Sequence, residues 1–328
     1  MARSIGPGRP LAAARAARHS TTALALNRRI GRPVGEANNL CNLGIVYHDL
    51  GRLRPGARYF QRALALYRRI GSRPGEGTAL GGLGEAEHSL GRLDHAVEHL
   101  TDSLALNREV GQREGEAHVL GALAAVHRDA GRHGRALELA EAALTLVREI
   151  GDPAFEAEVA IVLATIHQRF GDDWPAVALC NRCERLARQA GAGYLQAAAC
   201  IGLACSLRGL GEHERTVGHA QQTLAIACRA GYRILEGQAR ATLADSCLAR
   251  GDHQQAAAHA RQAVAIQHET GHRLGEALAL RTLGHATRHL EGTVPAMRAW
   301  REALALFSDI GTPEAEQLRA LCGDALQA

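Results

Sequence analysis

Lysine is absent from this sequence, and aromatic residues are scarce. All 38 basic residues are arginine, and the aromatic residues make up 3% of the 328 residues, whereas apolar residues reach 46%. The core must therefore be built mainly from alanine, leucine, valine and isoleucine, and the small residues among them let helices approach closely. No uninterrupted apolar run reaches the ~18 residues of a membrane span. We therefore expect a soluble, cytoplasmic protein.

Sequence motifs for catalysis and metal binding are also lacking. There is no phosphate-loop pattern, no His-Glu-x-x-His and no Gly-x-Ser-x-Gly. Cys180, Cys183, Cys200 and Cys205 are spaced somewhat like zinc ligands, but the second pair is too wide for a Cys-x-x-Cys knuckle. The cysteines fall instead in predicted helices, mostly in register with core positions. We predict no enzyme activity, no metal and no cofactor.

Glycine recurs every forty residues through the whole chain. The first set is Gly31, Gly71, Gly111, Gly151, Gly191, Gly231, Gly271 and Gly311. A second set lies halfway between these positions and shifts by one residue only at Gly292. The intervening stretches of about 12 to 18 residues have the apolar spacing of helices. Each unit is thus predicted to be a helical hairpin, and such hairpins must stack to share one core.

The period predicts one elongated all-α domain. Residues 1–15 are predicted to be a disordered basic N-terminus. Residues 16–311 are predicted to form a solenoid, with a half repeat at 16–30 and seven full repeats over 35–310. Residues 314–328 are predicted to form a C-terminal capping helix. The arginine-rich start imitates a transit peptide, but its apolar spacing already follows the repeat.

The hairpins resemble the tetratricopeptide repeat. The residues of the first repeat that match its signature are Leu43, Gly44, Tyr47, Gly51, Gly56, Phe60 and Ala63. The usual unit has ~34 residues, so the chain is similar to the forty-residue form of kinesin light chains and many bacterial regulators. This resemblance implies a right-handed superhelical α-solenoid of stacked antiparallel helix pairs, which binds other proteins and is not an enzyme.

In such repeats the first helix lines a concave groove. The resemblance implies that a row of mostly basic or titratable side chains lines this groove. Arginines in this row could bind the carboxylates of a ligand. The predicted groove residues are Asn38, Asn42, His48, His88, Arg128, Gln168, Arg208, Arg281 and Arg288. The lysine clamp that some relatives use for acidic chaperone tails is absent. The sequence leaves open the alternative that these residues are solvated helix faces without a ligand.

The N-terminal half repeat leaves Leu24, Leu26 and Ile30 without a first-helix partner. We expect an interface there, either in a homodimer or with a docked N-terminal domain of a longer protein. The stretch LALNREVGQREGEA resembles the C-terminal repeat arrays of bacterial transcriptional regulators of the antibiotic regulatory protein type. The first hypothesis is therefore the partner- or signal-sensing array of such a regulatory system, without direct contact to nucleic acid or membrane. The alternatives are a stand-alone adaptor and a receptor for an extended acidic peptide.

Overall fold

The protein is a superhelix of antiparallel helix pairs. The structure, a computed structural model, describes the backbone of residues 10–327 and the side chains of residues 17–323. Every regular element in that part is an α-helix. The helices are α1 (Pro10–Arg29), α2 (Pro33–Asp49), α3 (Leu53–Ile70), α4 (Arg73–Ser89), α5 (Leu93–Glu109), α6 (Arg113–Asp129), α7 (His133–Ile150), α8 (Pro153–Phe170), α9 (Asp173–Gln189), α10 (Gly193–Gly209), α11 (His213–Ala230), α12 (Arg233–Ala249), α13 (His253–Thr270), α14 (Arg273–Glu291), α15 (Thr293–Ile310) and α16 (Glu314–Gln327). The predicted all-α solenoid is confirmed.

Glycine ends the helices where the period predicts. Gly71 follows α3 with a φ of 70°, a left-handed conformation that glycine adopts without a steric penalty. Its amide bonds to the carbonyl oxygen of Arg68 at 3.3 Å and so satisfies a carbonyl of the last turn. Where the halfway glycine is displaced, α14 continues to Glu291, and Gly292 with a φ of 94° follows one residue later. The helix ends are thus set locally.

In the helix pairs, one position of the first helix faces the residue sixteen positions later in the second helix. The first of these residues is smallest where the second is largest. Glycine faces a large side chain, in the pairs Gly44 with Phe60, Gly84 with Leu100 and Gly284 with Trp300. A Cβ atom at Gly284 would lie 2.3 Å from the indole ring. Alanine stands at this position where the later residue is small, in the pairs Ala124 with Ala140, Ala164 with Cys180, Ala204 with Ala220 and Ala244 with Ala260. In the described hairpins, alanine therefore replaces the glycine of the Leu-Gly signature where the facing side chain is small enough to leave room for a Cβ atom.

Successive turns of the superhelix lie directly against each other. Glycine turns of the early repeats meet residues at the turns of the late repeats, in the pairs Gly51 with Thr270, Gly91 with Ile310 and Gly131 with Pro313. A Cβ atom added at these glycines would lie 2.7, 3.0 and 3.0 Å from the partner side chain. The solenoid is consequently wound tightly around its axis and encloses an inner channel.

The N-terminus differs from the sequence prediction in two respects. Helix α1 begins at Pro10, so residues 10–15 are helical and not disordered, while residues 1–9 lie outside the described part. Proline at the first helical position and the alanine-rich stretch that follows favour this helix. Leu24 is 6% exposed and belongs to the core formed with α2 and α3. Its assignment to an exposed interface is therefore wrong.

The other residues assigned to the two ends differ in their exposure. Leu26 and Ile30 are 46% and 50% exposed, so they are available at the surface. Helix α16 occupies the position predicted for the capping helix, with Leu318 buried in the core against α15. Residue 328 lies outside the described part.

Candidate ligand-binding channel

The first helix of each pair forms the inner face of the superhelix. The inward positions are spaced three, four and three residues apart, which places them on one side of a helix. In α10 they are Ala198, Ile201, Cys205 and Arg208, and the register repeats every forty residues. The channel wall therefore consists of four stripes of residues that run across the repeats. Each repeat contributes one residue to every stripe.

Two cavities of different charge lie in this channel. The arginine cavity, about 570 Å³ in volume, is lined by four arginines and four carboxylates, which are Arg128, Arg169, Arg208, Arg281, Asp129, Asp173, Asp245 and Glu314. The acidic cavity, about 750 Å³, is lined by the five carboxylates Asp49, Glu85, Glu114, Asp152 and Glu158, and no arginine contributes to its described wall. Tyr194 lines both cavities and so lies where they meet.

A buried carboxylate organises one end of the arginine cavity. Asp129 accepts hydrogen bonds from Arg128 Nε and from His88 Nε2, both at 2.8 Å. A guanidinium nitrogen of Arg169 lies 3.8 Å from the Asp129 carboxylate. Burial alone would raise the pKa of Asp129, but Arg128 and His88 outweigh this effect and hold the pKa well below its usual range. Asp129 is therefore ionised, and its charge is neutralised by groups of the protein.

Four of the predicted groove residues connect neighbouring repeats. Each donates to or shares a hydrogen bond with a polar side chain of the next first helix. The pairs are His48 with Ser89, His88 with Asp129, Arg128 with Thr165 and Gln168 with Ser206, at 2.6 to 3.1 Å. These side chains hold the repeats in register, and part of their hydrogen-bonding capacity is used within the protein.

Two predicted groove arginines remain unpaired in the arginine cavity. Among the described residues, neither Arg208 nor Arg281 has a carboxylate oxygen within 4.0 Å. Burial lowers the pKa of Arg281, Asp245 opposes this effect, and the charge of Arg208 adds to it. Both guanidinium groups line this one cavity, where the positive charge of Arg208 acts on Arg281.

The structure does not bring the other predicted groove residues into either cavity. Asn38 accepts a hydrogen bond from the Tyr67 hydroxyl at 2.5 Å. Asn42 and Arg288 are exposed and line neither cavity. A wider depression of about 900 Å³ between α13, α14 and α15 contains none of the predicted groove residues.

Several channel residues were missed from the sequence. Asp129 and Arg169 each come one residue after a predicted groove residue. They share the position of Asp49 within the forty-residue repeat, so the period could have predicted them. Glu314 lies outside the repeats and reaches the cavity only because α16 folds back onto α8. No sequence signal marks that contact.

The acidic cavity contains a histidine between two carboxylates. His118 Nε2 contacts Glu85, and its Nδ1 lies 3.4 Å from Glu158 Oε1. The Glu85 carboxylate raises the pKa of His118 well above its usual value, although burial opposes this. His118 is therefore positively charged near neutral pH and offsets part of the negative charge in this cavity.

The described residues do not form a metal site. Residues 17–323 contain no group of three histidine, cysteine or carboxylate side chains that could hold a metal ion. None of the described helices combines the length and apolarity needed to cross a membrane.

The chain is similar in fold to several proteins of known structure. A Rap protein complexed with competence and sporulation factor superposes with a TM-score of 0.71 at 11% identity, covering 85% of this chain and 76% of that one. The apo form of the quorum sensor NprR from B. thuringiensis has a TM-score of 0.60 at 14% identity, with 90% and 84% covered. A tetratricopeptide repeat protein from Parabacteroides merdae has a TM-score of 0.52 at 15% identity, with 88% and 98% covered.

The family comparison agrees with the geometry. Among curated proteins, none matches the sequence. The model of the tetratricopeptide repeat family matches residues 35–109 and 115–189, and the same hairpin continues in the structure through residue 310. Over residues 35–109 and 115–189 the chain is therefore similar to the tetratricopeptide repeat family.

Proposed function

We propose that this protein is a sensor of a bacterial regulatory system that binds a short linear peptide inside its superhelix and acts by protein contacts. The observation that carries the proposal is the inner channel, in which two cavities that both contain charged side chains meet at Tyr194. A groove that offers hydrogen bonds and charge from successive repeats suits an extended chain better than a compact small molecule. The fold shared with a Rap protein in complex with a sporulation factor and with a quorum sensor supports this role.

We also propose which kind of regulatory system the protein belongs to. The resemblance of the repeats to the arrays of antibiotic-regulatory-type transcriptional regulators supports a cytoplasmic role in signal transduction, without catalysis and without direct contact to nucleic acid or membrane. In that role a bound peptide would change which regulatory protein the outer surface contacts.

Pooled synthetic pentapeptides provide a direct test. A peptide that binds only the folded protein raises its melting temperature by mass action. Ala241→Phe should abolish the shift, because Ala241 lines the arginine cavity and a phenyl ring would fill part of it. The matched control is Ala249→Phe, since Ala249 is exposed on the same helix, outside both cavities. If no pool shifts the melting temperature, or both variants respond as the wild type does, the channel is not the binding site.

A second candidate function is an adaptor that docks through α1. Leu26 and Ile30 are half exposed, and Val34 beside them is 52% exposed, which together form an apolar surface at the start of the solenoid. A homodimer through this surface predicts that Ile30→Glu gives a monomer in sedimentation velocity. A wild-type protein that is monomeric at high concentration would exclude the dimer, and docking of another protein would remain as the function of this surface.

A further inference from the structure

We infer that two copies of this protein bind each other through the outer faces of α3 and α5, which carry opposite charges at four matching positions. The partner is a second copy of the chain, and both copies use the same surface, as in other two-fold symmetric dimers. This surface is separate from the inner channel and from the apolar surface of α1. It goes beyond the proposed peptide binding and does not depend on it.

The first step is that the charges of α3 and α5 are inverted at equal positions of the forty-residue repeat. Four exposed arginines lie on one side of α3, the basic face, and four exposed carboxylates lie on the same side of α5, the acidic face. Spacings of four, four and seven residues place each set on one side of its helix. The matching positions are Arg54 with Asp94, Arg58 with Glu98, Arg62 with Asp102 and Arg69 with Glu109.

The second step is that this segregation of charge is specific to α3 and α5. At the same four positions, the other second helices α7, α9, α11, α13 and α15 carry no more than two charges of one sign. A surface that needs charge only for solubility intersperses both signs. Complementary patches of opposite sign are instead typical of surfaces that bind a partner.

The third step is that the protein itself leaves these charges largely unpaired. Among the described residues, none of the four arginines forms a salt bridge, and Glu109 is the one carboxylate of the acidic face that does, with Arg73 at 2.6 Å. The side chains of that pair are 50% and 55% exposed, so water competes for it. Both faces are therefore available to another molecule.

The fourth step is the symmetry that brings the two faces together. Helices α3 and α5 are the second helices of consecutive antiparallel pairs, so they lie side by side and run in the same direction. A two-fold axis in the plane of contact, parallel to the helices and midway between them, places the basic face of each copy on the acidic face of the other. Every residue keeps its level along the axis, so all four matching positions meet, and each contact occurs twice. A uniformly charged partner, such as nucleic acid, would instead be repelled by one of the faces.

The flanking helices α1 and α7 continue the same pattern. Exposed Arg18 and Arg29 of α1 share the repeat positions of exposed Glu138 and Glu149 of α7. The same two-fold axis places α1 of one copy towards α7 of the other, so these charges are also complementary. Both carboxylates of α7 have arginine partners in their own chain, and their contribution is accordingly smaller.

The test is sedimentation velocity of the full chain over a range of concentrations and at two salt concentrations. We expect a dimer at low salt and weaker association at about 0.5 M salt, which screens exposed charges. Arg58→Glu and Glu98→Arg each bring like charges together in two contacts, and each should weaken the dimer about tenfold or more. An equimolar mixture of these two variants should associate again, because position 58 of each copy then meets the opposite charge at position 98 of the other.

The matched control is Arg298→Glu, which makes the same change at the same repeat position of α15, where the side chain is 87% exposed. This variant should associate as the wild type does, and so should Ile30→Glu, which alters the surface of α1. Circular dichroism of each variant verifies folding.

Three results would overturn the inference. They are a wild-type protein that stays monomeric at low salt, a dimer that persists in both charge variants, and a mixture of the two variants that remains monomeric. A dimer that only Ile30→Glu dissociates would form through α1 instead. Peptide binding is decided separately by the melting-temperature test, so either proposal can fail without the other.

Discussion

The guanidinium group of Arg169 contacts the carboxylate of Glu314, which lies 145 residues later in the sequence. Arg169 lies in the last turn of α8, and Glu314 begins α16, so this contact joins the middle of the solenoid to its C-terminal helix. Together with Asp129, the pair forms a charged cluster at the edge of the arginine cavity. The same residues therefore hold the superhelix closed and form part of the channel wall.

Removing Arg169 should loosen this closure. Arg169→Gln leaves Glu314 buried without its cation, and we expect a loss of about 1–3 kcal/mol in the free energy of unfolding, the usual cost of an unsatisfied buried group. Urea unfolding measures the loss, and small-angle scattering should show a larger radius of gyration.

The matched control for that change is Arg135→Gln, because Arg135 pairs with Glu138 on the exposed surface of α7. Such exposed pairs contribute roughly 0.2–1 kcal/mol. If the two variants unfold at the same urea concentration and have the same radius of gyration, the Arg169–Glu314 contact does not hold the turns together.

The close approach of superhelical turns can be tested with two glycines of equal backbone geometry. Gly51 and Gly71 both have a φ of 70°, so alanine at either position should cost about 1–2 kcal/mol for the left-handed conformation. A Cβ atom at Gly51 would also lie 2.7 Å from Thr270, whereas nothing lies within 4 Å at Gly71. We expect Gly51→Ala to cost about 1–3 kcal/mol more than Gly71→Ala in urea unfolding. Equal losses would show that these turns are not in contact in solution.

The size matching inside each hairpin predicts a strong coupling between Gly84 and Leu100. A Cβ atom at Gly84 would lie 2.6 Å from Leu100 Cγ, so Gly84→Ala alone should destabilise the protein by about 1–3 kcal/mol. Leu100→Ala alone should cost about 2–5 kcal/mol, because Leu100 is fully buried.

The double variant recreates the alanine pair of the third repeat, Ala124 with Ala140. We expect it to lose clearly less stability than the sum of the two single variants, by at least about 1 kcal/mol in a double-mutant cycle. Additive losses would contradict the size-matching rule.

His272 should make the protein less stable in mild acid. Burial lowers the pKa of His272 from 6.5 to about 4, with repulsion from His88 adding to this and Asp129 opposing it. Between these two pKa values the unfolded chain binds the proton that the folded chain does not, so this residue's contribution to stability falls as the pH falls from 6.5 to 4.

His272→Asn should remove this pH dependence. An asparagine oxygen can still accept the hydrogen bond that His272 Nδ1 receives from the amide of Gly275 at 3.1 Å, so the start of α14 remains capped. We expect the melting temperature of the variant to rise relative to the wild type as the pH is lowered from 6.5 to 4. The exposed His95→Asn is the control, and melting curves that stay parallel in all three proteins would exclude His272 as the cause.

The sequence predicted the hairpins and part of the channel because both follow rules that act within one repeat. Glycine at the helix ends and the apolar spacing identified the helices, and the forty-residue register placed Arg208 and Arg281 on the inner face. Asn38, Asn42 and Arg288, which the projection placed in the groove, line neither cavity. Leu24, which was assigned to an N-terminal interface, packs into the core. Which neighbour covers a given helix face depends on the angle between helices, and a period alone does not give that angle.

The sequence by itself determined the period, the helix ends and the size matching within each hairpin, because these depend on residues no more than about forty positions apart. Only the tertiary structure decided that the superhelix closes on itself, that Asp129 and Glu314 neutralise two of the arginines, and that Arg208 and Arg281 are left unpaired. The physical reason is that small rotations between successive repeats accumulate. Their sum brings Arg169 to Glu314, and no local pattern specifies that sum.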